Sequence, residues 1–126
     1  MLPVYFVTDV PGCSEKRAAM RIYRPTSGHL ICGHWNDSPV EIGVTPVLRD
    51  LPATEVLHHH DYHEYYVVLQ GRAELEVEKQ PVPLEAGTVV MVAPGERHRV
   101  KWVDPVHGAR WVIVKERSAL DSKRVC

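Results

Sequence analysis

Hydrophobic residues recur in short runs along the chain, and turn-forming residues separate these runs. Ten prolines and eight glycines are spread from one end of the sequence to the other. Breaks this frequent leave no room for long helices. Short strands with a turn every ~8–12 residues are typical of an all-β sandwich or barrel, so the pattern predicts an all-β fold.

Several segments have the β-branched and aromatic content that is typical of strands. They are AMRIY (19–23), HLICGHW (29–35), EIGVTPVL (41–48), YYVVLQ (65–70), AELEVE (73–78), TVVMVA (88–93), HRVKWV (98–103) and RWVIVKE (110–116). A helical turn is expected at most within residues 11–20. The tail at 118–126 has no β pattern, and we expect it to be loose or to form one short helix.

The predicted strands differ in the character of their two faces. The strand at 73–78 alternates strictly between apolar residues and glutamate, so one of its faces is expected to meet water. The strands at 65–70, 88–93 and 110–116 are apolar on both faces and need cover on both. One face can point into the fold, and the other must meet a further segment of the chain or a second subunit. We therefore expect a homodimer.

The overall composition is that of an ordinary globular protein. The 126 residues are 44% hydrophobic and 25% charged, with a formal net charge of -1. This length fits one compact domain. No basic patch is present, so neither nucleic acid nor an anionic membrane surface is an expected partner. No stretch approaches the ~20 apolar residues of a membrane span.

The cysteines and the N-terminus bear on the cellular compartment. Cys13, Cys32 and Cys126 are odd in number and widely spaced, which indicates free thiols in a reducing cytoplasm. The N-terminal segment is apolar but has no basic region and contains Pro3 and Asp9. A secretory signal is therefore not predicted, and a cytoplasmic location is expected.

The densest group of polar donors lies in LHHHDYHEYY, residues 57–66. Side chains at positions i and i+2 of a strand share one face, about 7 Å apart. His58 and His60 can therefore hold one ion between them, and Glu64 shares their parity. The residues of opposite parity are assigned to the outer face or the rim: His59, Asp61 and His63.

Three donors make a partial site, and a fourth has to come from elsewhere in the chain. His98 is the best candidate, because it opens a predicted strand directly after the turn APGER. His29, His34 and His107 lie in or beside loop-like stretches and are weaker candidates. The alternative without a metal is a polar loop that is merely rich in histidine.

Two segments resemble the two conserved motifs of the cupin superfamily. HHHDYHEYYVVLQG places His58, His60, Glu64 and Gly71 at the spacing of the first motif, and GTVVMVAPGERH, residues 87–98, fits the second. The short spacer between them is typical of small single-domain cupins. Departures from the family pattern fall on positions that are not metal ligands: Thr88, Ala93 and Trp102.

The resemblance implies one domain over 1–126, folded as a double-stranded β-helix or jelly-roll barrel, with core motifs at 58–71 and 87–98. It also implies one divalent metal ion bound by three histidines and one glutamate. These residues are His58, His60, Glu64 and His98. The ligand set suits Fe, Mn, Ni, Co or Zn and leaves coordination positions open for water or substrate.

The activities of the family imply a metal-dependent enzyme that acts on a small organic molecule. Oxygenase chemistry and isomerase or lyase chemistry are both expected possibilities. A base for elimination would come from Tyr62, His63 or Tyr66. The alternative is a cupin that binds or senses a small molecule without turnover. Around the motifs, Arg97 and Arg99 are expected in solvent, whereas Trp102 and Trp111 are expected in the core.

Overall fold

The computed structural model describes residues 6–7, 16–17, 20–25, 29–51, 55–119 and 123–126. Within these residues the chain forms β-strands and one short 3-10 helix, His34–Asn36. The strands are β1 (Phe6–Val7), β2 (Lys16–Arg17), β3 (Leu30–Cys32), β4 (Glu41–Val44), β5 (His58–His59), β6 (Glu64–Val77), β7 (Gln80–Glu85), β8 (Val89–Val92), β9 (His98–Val103), β10 (Ala109–Lys115) and β11 (Arg124–Val125). The prediction of an all-β fold is confirmed.

The long strand β6 joins two antiparallel sheets. Its first half pairs with β8 and β10, and its second half pairs with β7 and β9. The first sheet continues from β10 to β4 and β3, and the second continues from β9 to β5 and β11. Strands β1 and β2 pair with each other in a separate ladder. Both halves of β6 therefore contribute to one core between the two sheets.

Gly71 allows β6 to pass from one sheet to the other. Its φ is +72°, and a Cβ at this position would lie 1.8 Å from the carbonyl oxygen of Gly108. No residue with a side chain fits such a close approach. The sequence predicts a turn at Gly71 between two strands, which is wrong, because the glycine lies inside one continuous strand. Side-chain parity changes across it: Glu64, Tyr66 and Val68 are buried before it, and Ala73 and Leu75 after it.

The core draws on strands of both sheets. Its buried members are Tyr66, Val68, Ala73, Leu75, Leu84, Val92, Val100, Val103, Ala109 and Trp111. Each large apolar side chain that is removed from water stabilises the fold by about 1.5–3 kcal/mol. Leu75 of the alternating segment 73–78 is fully buried in this core, as its pattern predicts, and Leu84 on β7 is fully buried beside it.

Strand β7 was not predicted, because Pro81 and Pro83 argue against a strand. Proline has no backbone N–H to donate to a neighbouring strand. It is therefore disfavoured in a central strand, which has a partner on each side, and tolerated in an edge strand. The structure places β7 at such an edge, where β6 is the strand with which it pairs. In contrast, the predicted strand at 98–103 coincides with β9.

Three predictions about the chain ends and the loops need correction. Residues 20–23 form no strand, and residue 19 of that predicted segment lies outside the described residues. The segment with the expected helical turn contains β2 instead, and its other residues up to 19 are not described. The expected loose tail contains β11, which pairs with β5. Cys32 and Cys126 are free thiols, and Cys13 lies outside the described residues.

Candidate metal centre

The structure brings together the four residues that the cupin motifs predict as ligands. One donor atom from each of His58, His60, Glu64 and His98 lies within 4.8 Å of the other three. His58 on β5 is the cross-strand partner of His98 on β9, and Glu64 opens β6. None of the four is more than 6% exposed. The two motifs, far apart in sequence, thus form one buried cluster.

Backbone carbonyls fix the orientation of two of the imidazoles. His58 donates its Nδ1 hydrogen to the Val56 carbonyl at 2.7 Å, and His98 donates its Nδ1 hydrogen to the Glu96 carbonyl at 2.9 Å. In a neutral imidazole the other nitrogen, Nε2, then carries a lone pair. This arrangement is the one that histidine ligands of metals adopt, with the second nitrogen held by a carbonyl or carboxylate.

Glu64 lies among these nitrogens and contributes acceptors alone. Its Oε2 is 2.7 Å from His60 Nε2, and its Oε1 is 3.8 Å from His98 Nε2. Among the described residues these approaches are ion-pair contacts, and neither Glu64 Oε2 nor His98 Nε2 has a hydrogen bond of good angular geometry. Buried lone pairs that face a carboxylate are costly unless a proton or a cation lies between them. The donor set therefore fits a divalent metal ion.

The pKa directions in the cluster have two physical causes, burial and the attraction between Glu64 and the neighbouring imidazoles. Burial lowers the pKa of His58 to about 4, so this imidazole is neutral at neutral pH. Burial opposes ionisation of Glu64, but the imidazoles of His60 and His98 outweigh it and hold the Glu64 pKa well below its usual range. Burial likewise lowers the pKa of His98, yet the Glu64 carboxylate raises it more, and the net shift is upward.

Tyr62 supports His60 from behind the cluster. Its hydroxyl lies 3.1 Å from His60 Nδ1, and the two rings stack with centroids 4.9 Å apart. The Arg117 guanidinium lies over the Tyr62 ring, 5.7 Å from its centroid. Tyr62 is buried and borders a surface depression beside His63. This position suits a residue that orients a ligand, and it separates Tyr62 from the cavity described next.

A cavity of about 440 Å³ opens beside His58 and Glu64. This volume is in the range of pockets for small organic molecules. Its apolar wall is formed by Pro46, Leu48, Tyr66, Val100, Trp111 and Ile113. Its remaining lining groups are polar: His29, Thr45, Glu55, Lys115 and Lys123. The cluster therefore borders a space with an apolar wall and a small number of charged groups.

The three residues that the sequence offers as catalytic bases fall in different places. Tyr66 lines the cavity, and burial raises its pKa well above the usual value. Its phenol therefore stays protonated at neutral pH, which suits a hydrogen-bond donor and not a base. His63 borders the surface depression, where its Nδ1 lies 2.6 Å from Glu116 Oε2. Neither His63 nor Tyr62 borders the cavity.

The weaker histidine candidates do not join the cluster. His29 lines the cavity, whereas His34 contacts the Ser118 hydroxyl and His107 contacts the Asp104 carboxylate. His59 is half-buried on the other face of β5. The assignment of His59 and His63 to the outer face or rim thus agrees with their positions.

The charged and aromatic neighbours of the second motif lie away from the cavity. Arg97 pairs with Glu78 at 2.8 Å and is half exposed. Arg99 lies 3.5 Å from Glu76. Trp102 is 44% exposed, so the prediction that it belongs to the core is wrong, whereas Trp111 is buried as predicted and also lines the cavity.

Sequence reasoning missed three charged residues of the cavity. Glu55 lies before β5, Lys115 ends β10, and Lys123 precedes β11. Burial lowers the pKa of Lys115, but Glu64 and Glu41 raise it more, and the Lys115 ammonium lies 2.9 Å from the Glu41 carboxylate. These residues come from three separate segments that meet only in the folded chain, so no pattern of hydrophobic and polar residues in the sequence identifies them.

Comparison with models of known protein families places the chain in one of them. A family model described as a cupin domain matches residues 49–115, a little over half of the sequence. The chain belongs to the cupin family. The matched region of this cupin contains all four residues of the cluster, and the recognition made from the two motifs is confirmed.

Solved structures agree on the fold of this cupin. A cupin protein from Bacteroides fragilis has a TM-score of 0.58 at 14% identity, covering 80% of this chain and 89% of its own. An RmlC-like cupin with a double-stranded β-helix from Methanocaldococcus jannaschii has a TM-score of 0.59 at 14% identity, covering 79% and 93%. The Streptomyces nucleoside dehydratase Pac13 has a TM-score of 0.61 at 14% identity, covering 82% and 84%. At such identity the likeness shows the fold, and the predicted double-stranded β-helix is confirmed.

Comparison with curated protein sequences gives no match for this cupin. Among the described residues, no helix has both the length and the apolar character needed to cross a membrane.

Proposed function

We propose that this cupin is a metal-dependent enzyme that acts on a small organic molecule. One divalent metal ion would be held by His58, His60, Glu64 and His98. The observation that carries the proposal is the buried convergence of imidazole lone pairs on a carboxylate, directly beside a cavity. Three imidazoles and one carboxylate are a donor set that suits a divalent transition-metal ion or zinc.

When bound, the metal supplies Lewis acidity or, if it is Fe or another redox-active ion, oxygen chemistry. The ligand set is compatible with Fe, Mn, Ni, Co and Zn, and with oxygenation as well as with isomerisation or elimination. The protein's own residues bind and orient the substrate. Trp111 and Ile113 give it an apolar wall that excludes water, and the protonated Tyr66 phenol can donate a hydrogen bond to it.

The test is turnover by the metal-loaded protein with defined probes. The panel consists of 2-oxobutyrate, hydroxypyruvate, dihydroxyacetone and D-xylose, together with uridine, which was solved bound to Streptomyces Pac13. Probe depletion and oxygen uptake are measured. We expect Glu64→Ala and His98→Ala to abolish activity while the circular dichroism spectrum is unchanged. Unchanged turnover in both variants would contradict the proposal.

Binding without turnover is the competing function, and the same panel distinguishes it. A binding or sensing cupin retains a probe in equilibrium dialysis and releases it chemically unchanged. The enzyme that we propose depletes the probe with time. Retention of an unchanged probe by the metal-loaded protein, with no depletion over the assay, would favour the sensing module.

We further propose that the apolar outer face of the first sheet pairs with a second copy of this chain. Val89 is 61% exposed and Met91 is 51% exposed. They are cross-strand neighbours of the half-buried Val67 and Tyr65 on β6, so the exposed apolar side chains are contiguous. A continuous apolar face of this kind is typical of a protein interface.

Sedimentation velocity tests the homodimer. The wild-type protein is expected to sediment as a dimer, and Met91→Glu is expected to shift it toward the monomer, because a charge would be buried in the interface. Val106→Glu is the matched control, since Val106 is an exposed valine, 71% accessible, in the turn between β9 and β10 and not on β8 or β6. A monomeric wild type, or a dimer that Met91→Glu leaves intact, would contradict this interface.

A further inference from the structure

Glu55 is the carboxylate of the cavity that the metal cluster does not use. It lines the cavity together with His58 and Glu64, but it is not one of the four clustered residues. Its Oε1 accepts a hydrogen bond from the backbone N–H of Val100 at 2.6 Å. Val100 lies two residues after His98 on β9, so this bond fixes the Glu55 carboxylate close to the cluster.

The backbone explains why Glu55 occupies this place. Strand β5 pairs with β9 at a single position, His58 with His98. Beyond that position the chain before β5 leaves β9, and the N–H of Val100 would lack a strand partner. The Glu55 side chain takes over that role with one oxygen. Within the described part of the chain, no hydrogen bond or ion pair engages its other oxygen, Oε2.

We propose that Glu55 is a catalytic proton-transfer residue of this enzyme, acting on a carbon adjacent to a carbonyl group of the bound substrate. This proposal rests on the proposed metal-dependent function, and it favours isomerase or lyase chemistry over oxygenation. It also names the substrate class, namely small carbonyl compounds with an acidic C–H bond. Tyr62, His63 and Tyr66 are not required as bases.

The proton-transfer step needs no other reactant. The C–H bond next to the carbonyl breaks, its proton forms an O–H bond with Glu55 Oε2, and the electron pair moves into the carbonyl group. Return of the proton to the same carbon restores the substrate. Where that carbon carries a hydroxyl group, return of the proton to the former carbonyl carbon, with transfer of the hydroxyl hydrogen to the former carbonyl oxygen, gives an isomer. Because the proton on Glu55 can exchange with water, the substrate takes up solvent hydrogen at that carbon.

The surroundings of Glu55 suit a group that both accepts and releases a proton. Burial raises the pKa of Glu55 from its ordinary value, although the Val100 N–H and Lys123 oppose this shift. A raised pKa brings a carboxyl group closer to neutral pH, where a general base is most effective. The titratable and charged groups around it in the cavity are His29, His58, Glu64, Tyr66, Lys115 and Lys123, with His98 adjacent on β9.

Deuterium uptake measured by proton NMR tests this proposal. The metal-loaded protein is incubated in D₂O with 2-oxobutyrate, hydroxypyruvate, dihydroxyacetone or D-xylose, and loss of the signal next to the carbonyl is followed. We expect the wild type to catalyse exchange in at least one probe. Glu55→Gln is expected to reduce that rate about 100-fold or more. The amide oxygen of glutamine can still accept the Val100 N–H, so the fold should be preserved.

Controls separate this proposal from the proposed metal-dependent function. Glu85→Gln, on the exposed edge strand β7, is expected to leave the exchange rate unchanged. Metal content is measured for each protein, and Glu55→Gln should retain its metal. Exchange in Glu55→Gln within about threefold of wild type would overturn the role of Glu55. So would loss of metal from this variant, or no exchange in any probe by a wild type that binds metal. Failure of the wild type to bind metal would instead overturn the metal-dependent function.

Discussion

His58 and His98 face each other across the β5–β9 pairing, with ring centroids 4.3 Å apart. Each gives its Nδ1 hydrogen to a carbonyl two residues earlier in its own segment, Val56 or Glu96. This symmetry leaves both Nε2 lone pairs beside Glu64. The contact thus joins the two sequence motifs at one buried cluster that could hold a metal ion.

Removal of the Glu64 charge should weaken metal binding strongly. Glu64→Gln keeps the size of the side chain but removes the only anion of the predicted ligand set. We expect the affinity for Zn²⁺ to fall more than about 100-fold, beyond the loss typical of residues that merely support ligands. Isothermal titration calorimetry measures it. Glu74→Gln on the same strand is the control and should bind Zn²⁺ like wild type; equal affinities in all three proteins would contradict the assignment of Glu64.

Tyr62→Phe should weaken metal binding more modestly. The substitution removes the hydroxyl that lies 3.1 Å from His60 Nδ1 and keeps the stacked ring. Supporting hydrogen bonds of this kind typically contribute 10–100-fold to metal affinity, so a loss of about tenfold is expected in the same titration. Tyr65→Phe is the matched control, because Tyr65 lies on the face of β6 that carries Val67 and not on the face that carries Glu64. A Tyr62→Phe protein with wild-type affinity would show that the phenol does not orient His60.

Two glycine substitutions should differ in their effect on stability. Gly71 and Gly87 both have positive φ, +72° and +86°, but a Cβ at Gly71 would clash with Gly108 whereas a Cβ at Gly87 would meet nothing. Gly87→Ala should cost about 1–2 kcal/mol from backbone strain alone. Gly71→Ala should cost more than Gly87→Ala in the free energy of unfolding by urea. Equal costs would contradict the close approach of β6 to the turn before β10.

The raised pKa of Glu55 predicts a pH-dependent difference in stability. A carboxyl group whose pKa is raised on folding holds more protons in the native state than in the unfolded state between its two pKa values. It therefore destabilises the fold as pH rises above the unfolded pKa of 4.5. In metal-free protein, Glu55→Gln should be more stable than wild type at neutral pH, and the difference should shrink as pH falls toward 4.5. Urea unfolding at a series of pH values measures it; a difference that grows at low pH would contradict the burial of this carboxyl.

The strands and the cluster were predictable because they depend on local patterns. Side-chain alternation assigns His58 and His60 to one face, and the spacing of the second motif adds His98. Both placements agree with the fold. Strands β8 and β9 lie within one residue of their predicted bounds, and β6 begins and ends within one residue of the outer bounds of the two segments predicted there. The predicted break between 65–70 and 73–78 failed at Gly71, where the fold uses glycine for a close approach inside a strand.

The rest of the cavity depends on contacts that no local pattern records. Glu55 is held by the N–H of Val100, 45 residues away. Lys123 reaches the cavity because β11 pairs with β5, in a tail that has no β pattern. Strand β7 was hidden by Pro81 and Pro83, which are tolerated at an edge that only the complete sheet defines. Sequence therefore predicted the cluster better than the residues around it.

The most direct test of the account is the position of a bound metal. Crystals of the protein loaded with Zn²⁺ or Mn²⁺, measured at wavelengths above and below the absorption edge of the metal, give an anomalous difference map. One strong peak is expected within coordination distance of His58, His60, Glu64 and His98. A metal peak elsewhere, or no peak at this cluster in crystals whose metal content is confirmed, would contradict it.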